Sequence, residues 1–234
     1  MKKKLLAVLL VVITVVPVFA GNGRFFLSLG PAGNYNSWKI KQYRPDGGSF
    51  DDAESKQKYG GIGADFSVVI QPHKDSVFSI FIDEYAGFPI GKMSLVEPYE
   101  DKVKFKFSFQ DNLAFGPAAT FGRNGDFLNG TIGLGPSLGY TSMVVEGEPS
   151  NTWNVGLSLG VAAFGQLMFN INDMFYIDLV AVPSLRFIQW GRHTTYVGDK
   201  RSSSAGWINY AWKGFEFDVK AKVGFGVKLG NKDM

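Results

Sequence analysis

From Phe215 to Leu229 every odd position is apolar: Phe215, Phe217, Val219, Ala221, Val223, Phe225, Val227 and Leu229. Every even position is charged or glycine: Glu216, Asp218, Lys220, Lys222, Gly224, Gly226 and Lys228. A period of two predicts a β-strand with one apolar and one polar face. The run exceeds the five or six residues of an ordinary strand and is long enough to cross a bilayer at a tilt. Seven earlier segments carry the same alternation, at 24–35, 59–71, 76–88, 103–122, 127–141, 152–169 and 174–190. The fourth places Val103, Phe105, Phe107, Phe109, Leu113 and Phe115 in one phase. Asp111 interrupts that phase, which leaves open two shorter strands with a turn at Gln110-Asp111-Asn112.

The connections alternate in length. Residues 72–75, 123–126 and 170–173 are tight turns, and Asn124-Gly125 is a hairpin dipeptide. Residues 36–58, 89–102, 143–151 and 191–206 read as long loops. Short and long connections then fall at opposite ends of a closed, eight-stranded, antiparallel up-and-down barrel, an all-β fold of the transmembrane kind. Within the strands, Gly30-Pro31-Ala32, Gly116-Pro117-Ala118 and Gly135-Pro136-Ser137, with Val182-Pro183-Ser184 as a looser copy, read as bulges, because proline removes a ladder donor. Tyr35, Tyr140, Trp153, Phe187, Trp190, Trp207, Tyr210 and Trp212 suit an aromatic girdle at the outer rim.

The N-terminus supplies an export address. Lys2, Lys3 and Lys4 precede an apolar run, Pro17, and the small-residue site Val18-Phe19-Ala20. Residues 1–20 read as a cleaved signal peptide, and 21–234 as one barrel domain. The formal charge of +3 belongs to those three lysines, so the exported chain is balanced and gives no reason to expect a nucleic-acid partner. The absence of cysteine excludes disulfides, thiol catalysis and a lipoprotein anchor.

The length, the eight strands and the end of the chain resemble the small OmpA/OmpX/OmpW-type outer-membrane barrels. The sharpest element is Lys222, Gly224, Val227 and Leu229, which fits the C-terminal assembly signal of such barrels, with Val227 and Leu229 where aromatics are usual. The resemblance implies a bacterial outer membrane, contact with its lipid, and recognition by the barrel-assembly machinery. The expected state is a monomer. A lipocalin-like soluble barrel is the rival fold, with the apolar face turned inward. Against it, Gly133, Gly135, Ser137 and Gly139 lie on the polar face, which suits a crowded interior.

If the polar face lines the lumen, Asp65, Asp83, Asp178, Arg186, Glu216, Asp218, Lys220 and Lys222 point inward. They must pair there to offset desolvation, forming a packed core or lining a narrow, gated path for small solutes. Catalysis has little support. Some small outer-membrane barrels modify lipid A with a histidine, a serine and an acid, but His73 lies in a turn and His193 in the last loop. No metal spacing or phosphate loop is present, so no cofactor is expected. The last loop, with Arg192, Tyr196, Lys200, Arg201 and Trp207, is the candidate surface for an extracellular protein or glycan ligand, and the reading is of a structural or adhesin-like surface protein.

Overall fold

The computed structural model describes residues 23–41, 54–73, 75–96, 102–122, 126–146, 151–197, 200–204, 207–209 and 214–230. Residues 1–20, read above as a signal peptide, and Tyr210 and Trp212 lie outside them. The strands are β1 (Arg24–Lys41), β2 (Glu54–Gln71), β3 (Phe78–Val96), β4 (Lys102–Phe121), β5 (Leu128–Glu146), β6 (Asn151–Asn170), β7 (Phe175–Val197), β8 (Lys200–Ser204), β9 (Ile208–Asn209) and β10 (Gly214–Gly230). Each of the first seven pairs antiparallel with the next, and β10 pairs with both β1 and β7. The sheet therefore closes into an eight-stranded barrel with β10 as its last stave, and β8 and β9 attach above to β7.

The faces decide the solvent. Asp65, Asp83, Asp178 and Arg186 are 0 % exposed, whereas Leu134 is 62 % and Ile132 60 % exposed. Charges inside and large aliphatics outside invert a soluble protein, and the lipocalin alternative fails on this point. Phe175 stacks on Phe225 at 5.6 Å at the lower rim, while Tyr35, Tyr140, Trp153 and Trp190 face outward nearer the other end. Ala221 lies mid-strand in a row of small outward residues that are direct partners, Gly165–Ala181–Ala221–Gly33. Ala221→Arg places a cation against lipid near the midplane and is expected to cost about 2–4 kcal/mol. Lys220→Arg keeps its charge in the lumen and should cost much less. Unfolding of both variants in lipid vesicles checks the assignment, and the reverse order would mean that the faces are inverted.

Three expectations need correction. First, much of what reads as long loop is strand. β1 and β2 stay paired up to Lys41–Glu54, and β5 and β6 up to Glu146–Asn151, so the connections shrink to 42–53, 97–101 and 147–150. Above the bilayer neither face has to be apolar, so the ladder continues where the alternation fades. Second, β4 is one strand of 20 residues with no turn at Asp111, but it does not keep one phase. Its ladders with β3 and with β5 both slip by one residue, between Gly87 and Lys92 on β3 and between Phe105 and Ser108 on β4. An odd slip exchanges inside for outside, so the alternation does not keep one phase through the slip.

Third, the Gly-Pro sites are not bulges. The register is the same on both sides of Gly30-Pro31, and likewise across Gly116-Pro117 and Gly135-Pro136. A Cβ on Gly30 would lie 2.1 Å from the Val223 carbonyl oxygen, and one on Gly116 would lie 2.5 Å from that of Leu134. Glycine here lets neighbouring backbones approach and the sheet bend sharply, and the outward proline lacks only an N–H that the bent ladder does not use. The real bulge in β7 comes later. Leu159 pairs with Ile188 but Gly160 with Arg186, leaving Phe187 as the extra residue.

The eighth stave also slips. Between the Arg186–Glu216 and Trp190–Asn209 pairs, β7 advances four residues while the returning chain recedes seven. The three-residue excess is odd.

Candidate functional site

All eight charged residues read as inward lie in the lumen, each at most 6 % exposed. Four come from alternate positions of β10, and β2, β3 and β7 supply the rest. Lys220 Nζ contacts Asp65 and Asp83. Lys222 Nζ lies 3.2 Å from Asp65 Oδ1 and 3.7 Å from Asp178 Oδ2, and donates to Ser28 Oγ at 2.7 Å. Asp178 also accepts from Ser28 Oγ at 2.8 Å and from Gln166 Nε2 at 2.6 Å. The result is a chain of alternating charge, Asp178–Lys222–Asp65–Lys220–Asp83, running across one wall. Gly224 belongs to it, because a Cβ there would meet Asp178 Oδ1 at 2.2 Å and Ser28 Oγ at 2.5 Å. Of the other assembly-signal positions, Leu229 faces outward and Val227 is half-buried.

A second polar layer lies nearer the outer end. Arg186 Nη1 donates to Glu216 Oε1 at 2.9 Å, and Arg186 Nε to Ser137 Oγ at 3.1 Å. Gly139 leaves room for that guanidinium, since a Cβ would lie 3.0 Å from its Cζ. Asn34 Nδ2 donates to Asp218 Oδ2 at 3.0 Å, and Gln110 Nε2 donates to Asn34 Oδ1 at 2.7 Å. The space left among Asp83, Asn112, Ser137, Ser184, Arg186, Asp218 and Lys220 is about 10 Å³, room for no more than one water.

An apolar cluster shares the lower lumen with these charges, partly on the same strands. Phe26, Val69, Phe81, Phe164, Met168, Val180 and Val182 all point into the lumen. Phe81 of β3 stacks on Phe164 of β6 at 4.7 Å and 14°, reaching past β4 and β5, and Phe26 meets Tyr176 edge-on at 6.3 Å. Reading the inner face as uniformly polar misses this septum. Its signal lies where alternation fails and both parities are apolar, as in Val68-Val69-Ile70, Ile80-Phe81-Ile82 and Val180-Ala181-Val182.

The last predicted loop is a hairpin. Arg192 and Tyr196 belong to β7, Lys200 and Arg201 to β8, and an exposed Trp207 precedes β9. Its backbone is held by β7–β8 pairs from Thr194–Ser204 to Val197–Lys200, so these residues sit on a ribbon continuing the barrel wall. His73 is exposed in its turn, where its Nδ1 accepts from the Asp75 amide at 3.3 Å. Among the described residues no cluster of side chains is arranged to hold a metal ion.

By sequence, no family model and no curated protein matches the chain. By structure, it is similar to the outer membrane protein OprG of Pseudomonas aeruginosa, with a TM-score of 0.59 and 11% identity over 90% of this chain and 97% of that one. It also matches Ail, the attachment invasion locus protein of Yersinia pestis, at a TM-score of 0.42 and 13% identity over 89% and 99% of the two chains. Neisserial surface protein A matches at 0.42 and 13%, over 88% and 97%. The chain therefore has the fold of the small eight-stranded outer-membrane barrels. The apolar exterior and ion-paired interior fit its place in a bacterial outer membrane.

Proposed function

We propose that this barrel is sealed along its axis and works at its outer end, as a rigid anchor that presents a ligand-binding surface outside the cell. The observation that carries the reading is the filled lumen. The alternating charge chain and the Phe81–Phe164 septum occupy the same lower half, and the strands continue far above it. About nine to eleven residues suffice to span a membrane when tilted, whereas β7 has 23. The remainder forms a walled platform with the Arg192–Trp207 hairpin on it. The refolded protein is expected to give no general-porin conductance in planar bilayers, because its lumen is occupied by side chains. Large, stable openings would overturn the sealed-barrel reading.

A second reading, a narrow and gated path for small solutes, is favoured by one observation. Between Gly87–Gln110 and Lys92–Lys104 the β3–β4 ladder has no pairs, and Pro89 lies in this stretch. Outside it, Phe88 and Phe109 meet at 6.1 Å, and Phe109 and Tyr140 at 6.5 Å. Such a seam would join the outer lumen to the membrane without crossing the septum. Uptake of a small apolar solute into vesicles without ionic conductance would favour this path.

A further inference from the structure

Above the outer aromatic rim, the face of the wall that meets lipid lower down turns cationic. The last apolar row on that face is Tyr35–Gly60–Ile90, with Tyr35 46 % and Ile90 47 % exposed. One step higher, Ser37 pairs with Lys58, Lys58 with Ser94, and Ser94 with Lys102. Lys39 pairs with Lys56 on the next step, and Lys92 pairs with Lys104 alongside. Ladder partners share a face of the sheet, and so do alternate residues of one strand. The register therefore gathers Lys39, Lys56, Lys58, Lys92, Lys102 and Lys104 on one face, across the upper ends of β1, β2, β3 and β4. Three rows on four strands cover about 14 Å in each direction. Among the described residues the nearest acids on this face stand at its borders. Glu54 is opposite Lys41, and Glu146 lies one residue beyond Val145, the partner of Phe105. Glu84 and Asp111 lie lower, below the gap in the β3–β4 ladder.

Like charges directly opposite each other destabilise a sheet, and this face has two such pairs, Lys39–Lys56 and Lys92–Lys104. A bound polyanion removes that penalty. Lysine binds phosphate as a point charge, and a patch of this width takes more than one phosphate at a time. Position selects the polyanion. The lysines continue the lipid-facing surface directly above Tyr35 and Ile90. A lipid packed against those two residues carries its headgroup to the lysines without leaving the bilayer. We infer that the upper outer face of β1–β4 is a binding site for the phosphorylated headgroup of the outer-leaflet glycolipid, lipopolysaccharide. Lys58, exposed and in the middle of the patch, is the centre of the site. The site lies on other strands than the Arg192–Trp207 hairpin and does not depend on what that hairpin binds.

The test takes the full-length mature protein, refolded in zwitterionic micelles, and counts bound lipid by native mass spectrometry. The probes are diphosphoryl lipid A, its dephosphorylated form, and a heparin-derived oligosaccharide as a soluble polyanion. Diphosphoryl lipid A is expected to bind saturably with a Kd on the order of micromolar, and the dephosphorylated form at least about tenfold more weakly. Lys58→Gln/Lys92→Gln/Lys104→Gln should weaken lipid A binding about tenfold or more. Without lipid A the same variant should unfold at higher urea than the parent, because an opposed like-charge pair is gone. With lipid A present it should lose that advantage, because the parent gains more from the ligand. Lys58→Gln alone, with a loss of about fivefold, serves if the triple variant does not show the faster gel migration of a folded barrel. The proposal is overturned if the dephosphorylated lipid binds as tightly as the diphosphoryl form, or if the folded variant binds as well as the parent. It is also overturned if the heparin-derived oligosaccharide binds more tightly than lipid A. Those outcomes leave the sealed lumen untouched, which the conductance measurement decides separately.

Discussion

Replacing Lys222 with methionine is expected to lower the unfolding free energy of the barrel by about 3–5 kcal/mol, the usual cost of breaking a buried ion pair from one side. Lys222 is 2 % exposed and its ammonium lies between Asp65 and Asp178. Without it, Asp65 and Asp83 share the ammonium of Lys220, and Asp178 loses its ion pair with Lys222. Methionine fills much of the same volume, so the loss is electrostatic rather than a cavity. Asp178 accepts from Ser28 at Oδ1 and from Gln166 at Oδ2; in asparagine the carbonyl oxygen can keep the Gln166 bond while Nδ2 donates to the Ser28 hydroxyl. The double variant Lys222→Met/Asp178→Asn should therefore be clearly more stable than the sum of the single losses predicts, a positive coupling for groups in one network. The measurement is urea unfolding in lipid vesicles for the parent, both single variants and the double variant. Additive losses would mean that Lys222 and Asp178 do not interact.

That network was legible in the sequence because it follows from parity alone. Once the apolar face of β10 is assigned to lipid, Glu216, Asp218, Lys220 and Lys222 must share the lumen, and balanced charge on the other strands gives them partners. Parity says which face a residue is on but not how high it sits. The actual pairing of Lys222 with both Asp65 and Asp178 depends on the stagger between strands, which only the closed ladder fixes. The septum was hidden for a related reason. Phe81 and Phe164 belong to stretches where both faces are apolar, and such a run does not announce which of its residues turns inward.

The upper barrel was illegible for a different cause. A period of two appears only where one face meets lipid and the other does not. Above the membrane both faces of β1, β2, β5 and β6 can be polar, and their sequences read as loop while their backbones remain paired. The slips in β4 and in the eighth stave compound this, because each odd excess restarts the alternation in the opposite phase. The inward position of Gln189 was missed for the same reason. Gln189 follows the Phe187 bulge, and counting alternate residues upward from Leu185 puts it on the wrong face.

Gly135→Ala is expected to cost about 4 kcal/mol or more, or to prevent closure, although it adds a single methyl group. A Cβ at Gly135 would lie 1.9 Å from the Phe115 carbonyl oxygen and 2.8 Å from the Gly116 Cα. Both obstacles are backbone, so no rotamer change relieves them. β4 and β5 must instead move apart where the sheet bends, in the middle of a ladder that is paired on both sides at Ala114–Ser137 and Ala118–Gly133. Two other glycines separate this effect from the general cost of adding a methyl group. Gly133 would meet the Phe81 ring at 2.6 Å, and a side chain can yield, so Gly133→Ala should cost about 1–3 kcal/mol of overpacking. Gly165 has its nearest neighbour at 3.7 Å, and Gly165→Ala should be neutral or stabilise by about 0.4–1 kcal/mol through the unfolded chain. Unfolding of the three variants in one lipid system should therefore rank Gly135 as the most sensitive, Gly133 next and Gly165 last. If Gly135→Ala folds with the stability of Gly165→Ala, the close approach of β4 and β5 is not what bends this barrel, and the Gly-Pro motif needs another explanation.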